Sequence, residues 1–321
     1  MKSILEMLAG GDFVSGEAIS QALGVSRVAV WKRINQLREQ GWQIEAGGKR
    51  GYRLNAGDSL DPVLWAGSLS TERYGRGENR YEPEVTSTNT VLKEMALAGA
   101  PDGSVCVADC QTAGKGRLGR AWSAPAGKGL WVSTLLRPNL TPEQAPLITL
   151  CAALAMREAV ELVAELPAVI KWPNDLVYQG RKLCGILLEL SADPDRIEYV
   201  VIGTGLNVRE GAYPPELAER AAAIEEFTTP PLRRDLLTRY LAALETYVGL
   251  VEQRGIEGIL EAYTAHCVTL GARVQVSGAV NLTGTAETID GTGALMVRAE
   301  DGELRRVLSG DVSVRGVMGY V

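Results

Sequence analysis

The chain has 321 residues, 46% of them hydrophobic: room for two or three domains, and a composition that excludes disorder as the dominant state. No apolar run approaches the roughly 18 residues of a membrane span and the N-terminus lacks a secretory leader, so a cytoplasmic protein without a membrane partner is expected. Five cysteines, Cys106, Cys110, Cys151, Cys184 and Cys267, are odd in number and lack C-x-x-C spacing, which speaks against a disulfide framework or a zinc site. The net charge of −6 is uneven. Over residues 1–54 eight lysines and arginines face five carboxylates, a surplus of +3, so the remaining chain carries −9 and only the head is expected to meet a polyanion.

In chain order, Ile4, Leu5 and Leu8 make a short helix face that Gly10-Gly11 ends. A second helix starts after Ser15, turns Ala18, Ile19 and Leu23 inward and stops at Gly24. Ser26 is a natural N-cap for a third, in which Val30, Ile34 and Leu37 recur at i, i+4 and i+7 before Gly41. Two helices around a glycine-centred turn are a helix-turn-helix. Arg27, Lys32, Arg33 and Gln36 fall off the apolar stripe, and together with Ser26 they are the predicted contacts to phosphates and base edges of a major groove. Trp42–Glu45 and Tyr52–Leu54 alternate like strands around a glycine-rich tip carrying Lys49 and Arg50, a basic wing that adds DNA contacts. The competing reading is a small helical domain whose charges form only a solvated face. Asn55-Ala56-Gly57-Asp58 reads as the linker to the next domain.

After a strand near Val85, Ser87-Thr88-Asn89 opens a helix; one such residue suffices as a cap, and three leave hydroxyls and an amide for a polar ligand. A strand over Ser104–Cys110 leads to Gly114-Lys115-Gly116-Arg117-Leu118-Gly119-Arg120, three glycines and three cations before Trp122. Without Cβ atoms the glycines let backbone amides approach a phosphate, and the cations add charge. The loop contains G-x-G-x-x-G, yet the next residues, with Pro125 and Gly127, have no helical period, so the helix that a dinucleotide fold needs is missing. Glu143–Glu165 and Arg233–Glu252 are predicted as long amphipathic helices on a mixed sheet. Lys171-Trp172-Pro173-Asn174-Asp175-Leu176 comes directly after the apolar pair Val169-Ile170; Asn174 and Asp175 are either turn formers or ligands for metal and phosphate, which spacing alone leaves open. Lys182 stands where the apolar strand Leu183–Leu188 begins, an expensive place for a cation without an anion. Gly203 and Gly205 interrupt a buried strand over Val200–Val208, a mark of close approach by a ligand or another backbone. His266, the only histidine, is expected to be a surface or packing residue, and no nucleophilic triad or G-x-x-x-x-G-K-[ST] loop is present. The chemistry implied is electrostatic stabilisation of phosphate, with adenylation as a candidate.

Ser87-Thr88-Asn89, the stretch Gln111–Trp122, Lys171–Leu176, Lys182–Leu187 and Gly203–Asn207 together resemble the bifunctional bacterial biotin protein ligases, which double as repressors of biotin operons. The resemblance spans essentially the whole chain. It implies an α+β fold with a winged helix-turn-helix at 1–58, a mixed-sheet ligase domain like class II aminoacyl-tRNA synthetases at 59–268, and an SH3-like β-barrel at 269–321. Short strands at Val274–Val276, Ala294–Val297 and Arg305–Leu308 fit the last. It further implies two half-reactions: biotin and MgATP give biotinyl-5′-AMP and pyrophosphate, and a lysine of the biotin carboxyl carrier protein of acetyl-CoA carboxylase then attacks the acyl phosphate.

By position, Ser87, Thr88, Asn89, Gln111, Lys115, Gly116, Arg117 and Lys182 would hold biotin. Arg117, Arg120, Trp122, Asn174, Asp175, Lys182 and Asn207 would hold ATP. Arg117, Lys182 and Asp175 would carry the catalysis, Asp175 also taking Mg2+. The family usually has Arg at the place of Lys115, so the planar fork is lost there. The implied partners are operator DNA, the carrier protein and a second copy of the chain in a ligand-promoted homodimer. Ordering the glycine-rich loop over the intermediate costs about 1–2 kcal/mol per residue, which phosphate contacts must offset. A ligase whose head no longer represses, and a biotin sensor without catalysis, remain open alternatives. Lipoate ligases share related architecture, but the basic loop and the Lys171–Asp175 set favour biotin.

Overall fold

The computed structural model describes residues 3–310 and 312–316, and the chain divides into two compact units after Leu69. In the first, α1 (Ile4–Leu8) opens on a capping box in which the Ser3 hydroxyl accepts from the Glu6 amide and the Glu6 carboxylate accepts from Ser3 in return. Ser15 caps α2 (Gly16–Leu23), which ends where Gly24 takes a left-handed conformation at φ +64°. Ser26 caps α3 (Arg27–Glu39), its Oγ 3.3 Å from the Ala29 amide. Antiparallel strands β1 (Ile44–Ala46) and β2 (Tyr52–Leu54) pair Ile44 with Leu54. Ile4, Leu8, Ile19, Val30, Ile34, Ile44 and Leu54 close one core. The sequence placed this unit's end at residue 58, but the chain turns back through a 3-10 turn over Pro62–Leu64 and buries Leu64 in the same core. Asn55–Asp58 is thus succeeded by further core residues of the head, which carries the compact unit on to Leu69.

The second unit begins with the parallel pair β3 (Asn79–Val85) and β4 (Val105–Gln111), joined across α4 (Thr88–Leu97). The chain continues through β5 (Gly129–Leu136), α5 (Pro146–Ala164), β6 (Val169–Lys171), β7 (Asp175–Tyr178), β8 (Arg181–Ala192) and β9 (Ile197–Asn207). These strands form a seven-stranded mixed sheet in the order β3-β4-β5-β9-β8-β7-β6. β5 is buried along its whole length because both of its neighbours and both faces are covered. Then come α6 (Arg233–Arg254) and α7 (Leu260–His266). The expectation that the helix near Glu143–Glu165 is amphipathic is corrected: α5 is buried on 14 of its 19 residues, with β8 and β9 on one side and α6 on another. Its alanines at 152, 153, 155 and 159 let those neighbours approach, and a helix apolar all round belongs inside.

Five antiparallel strands close the unit: β10 (Arg273–Gly278), β11 (Leu282–Ile289), β12 (Leu295–Ala299), β13 (Leu304–Val307) and β14 (Val312–Gly316), in the order β13-β12-β11-β10-β14. Residues 311 and 317–321 of the predicted 269–321 domain lie outside the described residues. The small sheet is fastened to the large one through Trp172, whose indole donates to the Gly293 carbonyl at 3.1 Å and whose amide donates to Thr269 Oγ1 at 2.9 Å. No helix among the described residues is long and apolar enough to cross a membrane. All five cysteines are free thiols; burial pushes Cys106 up to about 12.

Candidate active site and DNA-facing surface

A cavity of about 420 Å³ in the second unit is lined by all thirteen ligase residues named from the sequence. They arrive from α4, the end of β4, the glycine-rich loop, the β6–β7 turn, β8 and β9. Two clusters stand out.

The first is neutral. Ser87 precedes α4 but makes no side-chain capping bond, so its hydroxyl is left for the cavity it lines. The Thr88 amide donates to Gln111 Oε1 at 2.8 Å, and the Thr88 hydroxyl lies 3.2 Å from the same oxygen. Ser133 on β5 places its Oγ 2.7 Å from Thr88 Oγ1 and 2.6 Å from Asn89 Oδ1. Ser87, Thr88 and Asn89 are all buried.

The second cluster is charged. Lys182 at the start of β8 pairs with Asp175 at the start of β7 (2.6 Å) and lies 5.2 Å from the Trp122 ring centroid. Lys182 thus has within the protein the anion that its place at the head of an apolar strand calls for. Arg117 donates to Asn174 Oδ1 at 2.8 Å and to the Ser309 carbonyl of the C-terminal sheet. Asn174 is held in turn by its bond to the Ile186 carbonyl at 2.8 Å. The excess of charge nevertheless stands: Lys115, Arg117, Arg120, Lys171, Lys182 and Arg220 line the cavity, and Asp175 is the one carboxylate among the described lining residues. In a chain whose body is net acidic, six cations to one carboxylate describe a place for an anion.

The strand glycines make the site possible. Gly185 on β8 faces Gly205 on β9, and a Cβ at either would come within 3 Å of the Trp122 ring, which the two glycines seat against the sheet. A Cβ at Gly203 would overlap the Asn89 amide oxygen. The Trp122 indole N–H is buried there without a hydrogen-bond partner among the described residues, an orphan donor on the cavity wall. Asn207 is buried and gives its Nδ2 to the Ala222 carbonyl at 3.0 Å, leaving Oδ1 as its acceptor.

The loop itself is a hairpin with a single 3-10 turn over Arg117–Gly119 and no helix, as its composition predicts. Gly116 N–H donates to the Arg120 carbonyl at 2.7 Å, Trp122 N–H to the Gly114 carbonyl at 2.8 Å, and Leu118 is left-handed at φ +56°. Among the cavity residues that went unnamed as ligands are the cations Lys171, within a motif singled out, and Arg220, together with Ser313 and Val314 of β14, for which no strand signal was read.

The biotin/lipoate A/B protein ligase family matches residues 81–207, an HTH domain matches 1–53, and the biotin protein ligase C-terminal domain matches 269–315. The chain is 34% identical to the bifunctional ligase/repressor BirA of Bacillus subtilis, the alignment covering 98% of each. The chain belongs to the biotin protein ligase family. Among its relatives, the bifunctional ligase/repressor BirA of Escherichia coli is 30% identical over 97% of this chain and 96% of that one. The structure of a biotin protein ligase from Aquifex aeolicus in complex with biotin and ATP superimposes with a TM-score of 0.66 at 30% identity, covering 74% of this chain and 99% of that one.

On the head of this biotin protein ligase family member, Arg27, Lys32, Arg33 and Gln36 of α3 are exposed, as are Lys49 and Arg50 at the hairpin tip. Arg50 is ordered over the Phe13 ring at 4.1 Å. Ser26 uses its hydroxyl to cap α3. Sequence reasoning missed Val28 and Trp31, 65% and 55% exposed on the same helix. Their position off the Val30-Ile34-Leu37 stripe was the available signal.

Proposed function

We propose that this chain forms biotinyl-5′-AMP from biotin and ATP in the cavity, passes biotin to a lysine of a biotin carboxyl carrier protein, and represses transcription through its head in response to biotin. The observation that carries the reading is a single cavity joining a neutral hydrogen-bonding cluster to six cations. The neutral cluster suits a ureido ring and the cationic one suits a carboxylate and a triphosphate.

In the first half-reaction a biotin carboxylate oxygen attacks the α-phosphorus, and the bond to the pyrophosphate oxygen breaks. Two anions must meet, and Lys182 between them removes much of that repulsion; at about 4 Å and an effective dielectric near 20 a unit pair is worth roughly 4 kcal/mol. Arg117 and Arg120 hold phosphate oxygens, Trp122 covers the adenosine, and Asn207 Oδ1 accepts from the adenine amino group. In the second half-reaction a neutral lysine amine of the carrier attacks the acyl carbon, and AMP leaves with the bonding pair and takes up the proton the nitrogen gives up; Asn174 and Asp175 orient the amine. A magnesium ion fits as cargo of the nucleotide: Asp175 can supply one oxygen, and magnesium takes one or two carboxylates with substrate phosphates. No group of three acidic, His or Cys side chains among the described residues forms a cage of its own. The head binds operator DNA as a winged helix, and a homodimer presents two such heads to paired half-sites.

Incubation with labelled biotin, MgATP and an acceptor domain tests the ligase: ATP-dependent label in the acceptor is expected, and its absence overturns the reading. A salt-dependent DNA titration tests the repressor, with tighter binding expected when biotin and ATP are present. Sedimentation under both conditions tests the dimer.

A further inference from the structure

Asn89 and Lys93 lie four residues apart on α4 and both reach Glu189 on β8, a residue outside the cavity wall. Asn89 Nδ2 donates to one carboxylate oxygen at 2.8 Å and Lys93 Nζ to the other at 2.9 Å. Burial pushes the Glu189 carboxyl up, but the bonds from Lys93 and Asn89 outweigh it and hold it below the usual carboxylate range. Glu189 is therefore ionised at neutral pH and can only accept.

Resting on the biotin reading above, we infer that Glu189 fixes the hydrogen-bond direction of the whole neutral cluster and so presents Thr88 to the ligand as an acceptor. With Nδ2 on Glu189, the Asn89 oxygen must face Ser133, 2.6 Å away. Ser133 has one proton for two oxygens, and Asn89 Oδ1 cannot donate, so the proton goes there. The 2.7 Å contact between Ser133 and Thr88 is then made by the Thr88 hydroxyl proton, in preference to the longer 3.2 Å approach to Gln111 Oε1. That proton points away from the cavity Thr88 lines, which leaves a lone pair for a ring N–H, and a ureido ring carries two. Asn89, 3% exposed, has no room to trade partners with water, and Gly203 keeps the space its oxygen needs.

The relay has a sign that a substitution can reverse. In Glu189→Gln the new amide oxygen is drawn to the Lys93 ammonium and its nitrogen faces Asn89, which must turn over. Asn89 then donates to Ser133, Ser133 to Thr88, and the Thr88 proton turns to the cavity side, where Gln111 Oε1 at 3.2 Å and the ligand compete for it. Removing the ammonium as well, in Glu189→Gln with Lys93→Met, frees the glutamine oxygen to accept from Asn89 and restores the original direction. Glu189 is thus a positioning residue.

The test is calorimetric binding to the full chain of biotin and of its cyclic carbamate isosteres, in which one or the other ring N–H is replaced by oxygen. The wild-type chain is expected to prefer biotin over at least one isostere by about tenfold or more. Glu189→Gln is expected to weaken biotin by a similar factor and to lose that preference, and the double substitution to regain most of both. ATP affinity is expected to stay the same in all three, reporting an intact fold. An unchanged preference in Glu189→Gln overturns the inference, as does a joint loss of biotin and ATP affinity that Lys93→Met does not repair. Failure of the wild-type chain to bind biotin at all overturns instead the biotin reading on which the inference rests.

Discussion

In the head, the side chains that share a surface are also neighbours in sequence: Arg27, Val28, Trp31 and Lys32 stand on one helix, and Lys49 and Arg50 on one turn. The cavity is assembled the other way, from Ser87 before α4, Lys182 on β8 and Ser313 on β14, which meet only through strand order and register. The head's function therefore tolerates loss of single contacts, because its charges act additively on a polyanion. The cavity depends on the pairwise geometry of a few buried groups. Substitutions in the two regions should differ in size accordingly.

The largest effect is expected at Lys182. Lys182→Ala removes the ion pair with Asp175 and the bridge between the two reacting anions, and should slow biotinyl-5′-AMP formation by about a hundred- to a thousandfold, roughly 3–4 kcal/mol of transition-state stabilisation. Pyrophosphate release measures it, while affinity for a non-specific duplex should stay the same. A fall of less than tenfold would remove Lys182 from the chemistry. Next in size is Arg117, which ties the basic loop to Asn174 and to the Ser309 carbonyl. Arg117→Ala should speed loss of preformed biotinyl-5′-AMP in a single-turnover release assay by about tenfold or more, the value of a hydrogen bond to a charged group.

How far each region is legible in the sequence obeys the same division. Ser15, Ser26 and Gly24 announce the head's helices because a cap is a local device, and Val30 and Ile34 announce its core because 3.6 residues make a turn. The cavity's residues came from resemblance to a family. Spacing alone could not say whether Asn174 and Asp175 were turn formers, since their partners Arg117 and Lys182 are set by the hairpin loop and by the β7–β8 register. Gly203 and Gly205 gave a partial signal: a close approach was legible, but not that the approaching groups are Asn89 and Trp122. Burial of α5 was hidden because polar residues punctuate its ends while its centre is apolar on every side. β11 was hidden by its threonines and glycine and by the register shift between Ala286 and Thr288.

A smaller effect, and one that separates the regions from the other direction, is expected at Trp31. An exposed indole beside Arg27 and Lys32 offers apolar surface to thymine methyl groups in a major groove. Trp31→Ala should weaken binding to a duplex selected from a random library by about tenfold, roughly 1–2 kcal/mol, and leave adenylation unchanged. Equal binding by the two chains would reduce α3 to its phosphate contacts.

The smallest expected effect lies in neither surface but where the second unit begins. Glu245 on α6 accepts the amides of Glu72, Arg73 and Tyr74 at 2.8, 2.8 and 2.9 Å. Burial pushes this carboxyl up, yet the three amide bonds, with the charge of Arg73, outweigh it and hold the group below its usual range. A carboxyl depressed by folding contributes stability above its unfolded value, near 4.3, and loses that contribution as pH falls through the folded value. Glu245→Gln should therefore cost about 1 kcal/mol at neutral pH, where the carboxamide offers one acceptor oxygen to three donors. The difference should close as pH falls through the folded value, below which the wild-type carboxyl is also uncharged. Paired denaturant melts across that range decide it. A gap that stays constant would assign the stabilisation to the shape of the side chain, since only an ionised carboxylate gains from three converging amides in a way that acid removes.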